Sequence, residues 1–325
     1  DPINVKVDGD WVTAEGTTLG AATGLGHAAG MAAATDESVI HGPLELLFTV
    51  DEETGLTGAM GLDHSMITGR RMLNLDSEDD GVLFVGCAGG CNTKIKVPID
   101  RTDAPAGKGV KISVLGAKGG HSGLNIIDNR ANAVKVLNRV LTRALKDIKL
   151  SVASIDGGDK HNAIPRESAA VCVVEEGAVD ALRALVAEEQ AAALTEFSGI
   201  DPELTLKVEE VEAPAQVLSA ASRDRVVLVL AALPSGVLSM SRDVPGLVET
   251  SNNMATAKTG DEAVEILSST RSSVAAAIRA TLDQVRAVGL LGGAIVEEGG
   301  GYPGWQPNMS SELLGIGKTV FTEIW

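Results

Sequence analysis

The chain has 325 residues, 44% of them hydrophobic and only 2% aromatic, and its 44 acidic side chains against 27 Lys and Arg leave a formal net charge of -17. That length holds one large or two medium domains, and so few aromatics require cores of Ala, Val, Leu and Ile, which suits α/β layers. The acidic balance excludes nucleic acid and anionic membrane surfaces as partners, because both attract basic patches, and no apolar run is long enough to span a membrane.

Residues 1 to 10 have neither the basic start nor the apolar centre of a signal peptide, so the expected location is the cytoplasm. From Asn4 to Ala14 the alternation of Val5, Val7, Trp11 and Val12 around Asp8-Gly9 predicts a hairpin. A glycine-punctuated turn over Gly16 to Gly26 leads into an Ala-rich helix over about Leu25 to Ala34; it lacks the Lys and the GxGxxG spacing of a nucleotide loop. Leu44 to Val50 is a short apolar run bounded by Pro43 and Gly55, as a buried parallel strand requires. Asp51, Glu52 and Glu53 follow it directly, and a second run, Met72 to Leu75, ends in Asp76, Ser77, Glu78, Asp79 and Asp80. Open α/β sheets bind ligands at the carboxyl ends of their strands, so these clusters read either as a site for divalent cations or as solvated acidic strand exits.

Three cysteines make no paired framework, and Cys87 and Cys91 have no second Cys/His pair at zinc-finger spacing, so reduced packed thiols are expected. A Pro/Gly-rich connection, 102 to 109, precedes a strand over Val110 to Leu115 and a helix over Asn129 to Lys146, whose stripe is Ala133, Val136, Leu137, Val140 and Leu141. Strands near 150–155 and 169–174, helix 178–197, strand 204–211, helix 223–233, strands near 247–258 and 263–268, helix 273–290 and strand 294–298 follow. These elements predict an α+β layer of hairpin-like strands with helices on one face. Within it, His121 lies in Gly119-Gly120-His121-Ser122-Gly123, where glycines let the backbone approach a ligand. Arg271, taken alone, reads as a solvated residue before a Ser-capped helix.

Several motifs in order carry a family resemblance: DGDWVTAEGTTL at Asp8, FTVDEETGLTGA at Phe48, NLDSED at Asn74, GCAGG at Gly86, GGHSG at Gly119, NAIPRE at Asn162, RSSV at Arg271 and GGYPGW at Gly300. Together they resemble the bacterial aminoacyl-histidine dipeptidases, also called cytosol non-specific dipeptidases, among the co-catalytic di-zinc exopeptidases related to carnosinase and peptidase T. The resemblance covers almost the whole chain. It implies an α/β fold, a zinc-exopeptidase-type sheet with helices on both faces, interrupted by an inserted α+β lid and dimerisation domain. The expected division is a metallopeptidase domain of residues 1–103 and 301–325, with the lid at 104–300.

The resemblance also implies roles. Glu52 is the general base, Glu53 and Asp76 are zinc ligands, His121 reaches the partner subunit's site to polarise the scissile carbonyl, and Asn162 and Arg271 hold the carboxylate end of a dipeptide such as Xaa-His. Homodimerisation would run through the lid. Two departures bear on activity. The family's bridging aspartate, in the turn GTTLGADNGIG, is Ala22 here, with Thr23 for the usual Asn. The family's first zinc histidine precedes the region where this chain opens and its last follows the region where it closes. The expectation is a di-zinc dipeptidase by ancestry whose chain as given does not hydrolyse efficiently; the alternative is a degenerate homologue acting as a dimeric binding or structural protein.

Overall fold

The computed structural model describes residues 2–52, 55–77, 79 and 81–324, with the side chain of Ala22 also outside the description. The chain forms two compact units, 1–83 with 310–325, and 84–309.

The smaller unit opens with the expected hairpin, β1 (Val5–Asp8) and β2 (Trp11–Ala14), paired antiparallel with Val7 opposite Val12. Helix α1 (Ala21–Thr35) begins earlier than the glycines suggest. Gly26 sits inside it because a Cβ there would lie 3.3 Å from Leu75 Cβ, so the glycine lets the helix approach that segment. One turn on, a Cβ at Gly30 would be 3.5 Å from Leu46 Cδ2, and the His27 ring meets Phe48 edge-on at 4.5 Å. A short helix α2 (Thr57–Met60) follows the acidic segment, and the last helix of the chain (Glu312–Ile324) belongs to this unit.

The runs Leu44–Val50 and Met72–Leu75, expected as strands, form none. A strand is a ladder of hydrogen bonds with a neighbour, and the only sheet among the described residues of this unit is β1–β2. Nor is any described residue of the unit buried: Leu44, Leu46, Leu47 and Phe48 remain 43–49% exposed.

The larger unit contains β3 (Gly89–Pro98), β4 (Arg101–Asp103), β5 (Lys108–Leu115), β6 (Gly120–His121), α3 (Ala133–Asp147), β7 (Leu150–Gly157), β8 (Ala163–Ile164) and β9 (Ser168–Val174). It continues with α4 (Val179–Glu196), β10 (Thr205–Val211), β11 (Gln216–Leu218), α5 (Ala220–Ala232), β12 (Gly236–Met240), β13 (Val248–Thr259), β14 (Ala263–Ser272), α6 (Ala275–Leu291) and β15 (Ile295–Glu298). Nine strands make one antiparallel sheet in the order β10-β5-β9-β7-β13-β14-β3-β15, with β12 also on β13. Strand β3, which the sequence placed before the lid connection, pairs with β14 from Gly89 opposite Ser272 to Pro98 opposite Ala263, and so belongs to this sheet.

Helices pack on the sheet through one core. On β3, Ile95 and Val97 are fully buried while Lys94 and Lys96 between them reach Glu265 and Glu297 in solvent. The α3 stripe, Val136, Leu137, Val140 and Leu141, is buried against Val110, Ile112 and Val114 of β5, among others. The helix starts at Ala133 because Asn132 caps it, its Oδ1 accepting the N–H groups of Val134 and Lys135. Toward one end of the sheet the core positions turn polar. On β14, Val264 and Ile266 give way to Ser268, Thr270 and Ser272, and Asn252 on β13 accepts from Ser268 and Thr270. At that end lie the candidate functional residues of the unit.

Candidate functional site

In the smaller unit, the acidic segment is a turn closed by its own backbone. Thr57 N–H donates to Asp51 O at 3.2 Å and Leu56 N–H to Glu52 O at 3.1 Å, while the Thr57 hydroxyl donates to the Asp51 carboxylate. Asp51 takes φ 61, a left-handed conformation unusual for a non-glycine residue. Gly58 is required here, since a Cβ would meet Val50 N and O at 2.6 Å. The turn leaves the Glu52 side chain exposed. Asp76 is exposed as well, its N–H accepted by Asn74 Oδ1 at 3.0 Å.

Glu53 lies outside the described residues, as does the side chain of Ala22. The contacts of α1 give its direction: Gly30 lies by Leu46 and His27 by Phe48, so the start of the helix points toward the 51–52 end of that segment. Among the described residues no group of three His, Cys, Asp or Glu is placed to hold a metal ion. A catalytic zinc takes three protein ligands with nitrogen or sulfur among them, so the described donors do not fit one.

In the larger unit, the structure brings His121, Asn162 and Arg271 into one cluster. His121 ends β6, which pairs with β8 so that His121 faces Ala163 and Gly120 faces Ile164. One step further, Ser122 N–H donates to Asn162 O at 2.8 Å. The loop needs its glycines: Gly120 has φ 135, and a Cβ there would lie 2.5 Å from Arg130 Nη1 and 2.6 Å from Asn125 Oδ1. At Gly123 a Cβ would stand 3.1 Å from His121 Cε1 and 3.3 Å from Arg271 Nη1, so this glycine is where the imidazole and the guanidinium meet.

The ring of His121 is fixed by the main chain. Its Nδ1 accepts the N–H groups of Gly123 at 3.3 Å and Leu124 at 3.2 Å. An N–H is accepted only by a lone pair, so Nδ1 is unprotonated and the neutral ring carries its proton on Nε2. Burial, then the charge of Arg271, then that of His161 hold its pKa below the ordinary histidine value. The group is therefore a neutral donor at neutral pH.

Arg271 comes from β14, opposite Gly90 of β3 and Ser251 of β13. Gly90 leaves room for Tyr302, whose hydroxyl would lie 2.9 Å from a Cβ there and which meets Arg271 Nη1 at 3.3 Å. Arg271 Nε is buried without a hydrogen-bond partner, and no carboxylate is within ion-pair distance of this guanidinium among the described residues. A fork of donors beside a neutral imidazole donor suits an anionic ligand that also carries a carbonyl oxygen.

Tyr302, His161 and Asp201 were not singled out from sequence. Asp201, 1% exposed, accepts Lys118 N–H at 2.5 Å on one carboxylate oxygen and Ala131 N–H at 2.8 Å on the other, closing the base of the loop that carries His121. Only the GGYPGW motif around Tyr302 offered a signal; Asp201 acts through hydrogen bonds to distant backbone and His161 through its charge near His121, neither of which a sequence displays.

Residues 112–208 match the peptidase dimerisation domain family. The whole chain is 37% identical to the cytosol non-specific dipeptidase of Escherichia coli K12, over 67% of that protein. It also superposes along its full length on the crystal structure of aminoacylhistidine dipeptidase from Vibrio alginolyticus, with a TM-score of 0.95, 37% identity and 66% of that chain covered. The chain thus spans about two thirds of the length of these relatives. No helix among the described residues is long and apolar enough to cross a membrane.

Proposed function

Because the chain belongs to the family of the bacterial aminoacyl-histidine (cytosol non-specific) dipeptidases, we propose that it serves dipeptide hydrolysis, with His121, Asn162 and Arg271 receiving the substrate. The observation that carries this reading is the His121 ring, turned into a fixed Nε2–H donor by two backbone N–H groups beside a guanidinium with no acidic partner among the described residues. Arg271 pairs the free carboxylate of the dipeptide, and Asn162 adds an amide at the same end. His121 donates to the scissile carbonyl oxygen and strengthens that bond as negative charge develops there. Because its pKa is low, the imidazole gives a hydrogen bond at neutral pH without carrying a charge that would compete with Arg271 for the carboxylate.

The rest of the reading is drawn from the family. The protein acts as a cytoplasmic homodimer joined through the dimerisation domain, His121 serving the site of the facing subunit. Zinc is the metal the family resemblance implies, with Glu52 as base and Glu53 and Asp76 as ligands. The described residues do not form a three-ligand group, and position 22 is Ala. Ala at position 22, where the family has its bridging carboxylate, favours a second reading, a catalytically degenerate homologue acting as a dimeric binding or structural protein.

Calorimetric titration with an Xaa-His dipeptide tests the binding role. The unmodified chain should bind, Arg271→Ala should weaken binding about tenfold or more, and Arg271→Lys should restore only part of it, because a point charge replaces a two-pronged donor. Equal affinity in all three proteins would remove Arg271 from the site and the proposal with it.

A further inference from the structure

We infer that Asn253 is a positioning residue of this site, the side chain that anchors to the main sheet the short strand that follows Asn162 and pairs with His121. The need for such an anchor is visible in the ladder. Strands β6 and β8 have two residues each, and a two-stranded ribbon of that size is not stable by itself. Yet this ribbon sets both His121, opposite Ala163, and Asn162, whose carbonyl holds Ser122.

Asn253 bridges the ribbon to β13. It is 1% exposed, and its Nδ2 donates to Ala163 O at 2.8 Å, the residue after Asn162 and directly across from His121. On β13 it is two residues beyond Ser251, which pairs with Arg271, so period-two alternation puts Asn253 on the same face of the sheet as Arg271's register partner. The other side of its amide is held in turn. Asn132 Nδ2 donates one hydrogen to Met254 O at 2.8 Å and shares the other between Ser235 Oγ at 3.3 Å and Asn253 Oδ1 at 3.5 Å, while Asn132 Oδ1 caps α3. One amide therefore links the helix cap, the strand beside Arg271 and the ribbon of His121. Only a side chain with a donor and an acceptor at this length fills the position: Asp lacks the donor toward Ala163, and Ser does not reach.

This role presupposes that His121, Asn162 and Arg271 form the dipeptide site, and it is read by a signal that needs no dipeptide. Nuclear magnetic resonance of the full chain follows the His121 ring nitrogens and the exchange of the Ser122 amide. In Asn253→Ala the His121 pKa should rise toward the ordinary histidine value and Ser122 N–H should exchange about tenfold faster or more. Backbone amides of the β5–β9 pairing should keep their protection, which a general loss of fold would not allow. Asn253→Asp, which keeps the volume and loses the donor, should show the same two changes and serves if the alanine variant does not fold. In the unmodified protein the Asn253 side-chain amide should itself be protected from exchange. A folded variant with an unaltered His121 titration and unaltered Ser122 exchange would overturn the assignment, as would a freely exchanging Asn253 amide in the unmodified chain. Failure of the unmodified chain to bind dipeptide, with these signals as stated, would instead count against the dipeptide reading alone.

Discussion

The Nδ1 atom of His121 accepts the backbone N–H of Leu124 at 3.2 Å, which fixes the proton of the neutral ring on Nε2. From this bond follow both the chemistry assigned to the residue and its response to pH.

Protonation of Nδ1 would remove the acceptor for Leu124 and Gly123 and place a cation beside Arg271, with His161 also near. The folded pKa is thus below the unfolded value of 6.5, and between the two values the unfolded chain binds more protons. The stability this group contributes is complete above pH 6.5 and is lost as the pH falls through the folded value. Ring-nitrogen titration should place His121 below 6.5, and a His121→Gln chain should lose less stability on acidification than the unmodified one. A His121 titration at or above 6.5 would contradict the geometry.

Asp201 predicts a stability effect located at one loop. Its carboxylate, buried at 1% exposure, satisfies two backbone donors at the two ends of segment 118–131. Removing a buried acceptor costs about 1–3 kcal/mol for each donor left unpaired, so Asp201→Ala, which leaves two, should destabilise the protein by about 2–6 kcal/mol in denaturant unfolding. Amide exchange should quicken first within 118–131. A change smaller than about 0.5 kcal/mol would mean that water replaces the carboxylate at no net cost.

Zinc should not confer turnover on the chain as it stands. Position 22 is Ala where the family has its bridging carboxylate, and no three-ligand group is found among the described residues. With zinc supplied, hydrolysis of an Xaa-His dipeptide should remain at background, and Ala22→Asp alone should not raise it. Zinc-dependent turnover by the unmodified chain would show a ligand set that the described residues do not display, with His27 and His64 the first substitutions to try.

Periodicity made the larger unit legible. The α3 stripe and strand β14 were readable because each buries mainly one face, which writes a period of 3.6 or 2 into the chain, while β5 and β13, buried on both faces over much of their length, were readable as short runs of strand-forming residues between turns. Strand β3 was not read; it opens on Gly89 and Gly90, which are glycine since segment 302–304 crosses them, Gly304 N standing 2.3 Å from where a Gly89 Cβ would be. In the smaller unit the apolar runs at 44–50 and 72–75 carried a strand pattern without the ladder that makes a strand. At the site, His121, Asn162 and Arg271 were marked by their motifs. Asn253 and Asp201 were not, because each acts through a hydrogen bond to a residue 70 to 90 positions away; Tyr302 lay in the GGYPGW motif, but its bond to Arg271, 31 positions away, was not legible.

The central claim is that Arg271 and His121 read a dipeptide by its free carboxylate. The most direct measurement compares, by titration against the unmodified chain, an Xaa-His dipeptide with the same dipeptide amidated at its C-terminus. The account predicts that the acid binds, perturbing the His121 Nε2 signal, and that the amide binds about tenfold or more weakly, having lost the charge-assisted pair to the guanidinium. Equal affinity for acid and amide, with His121 unperturbed by either, would contradict it.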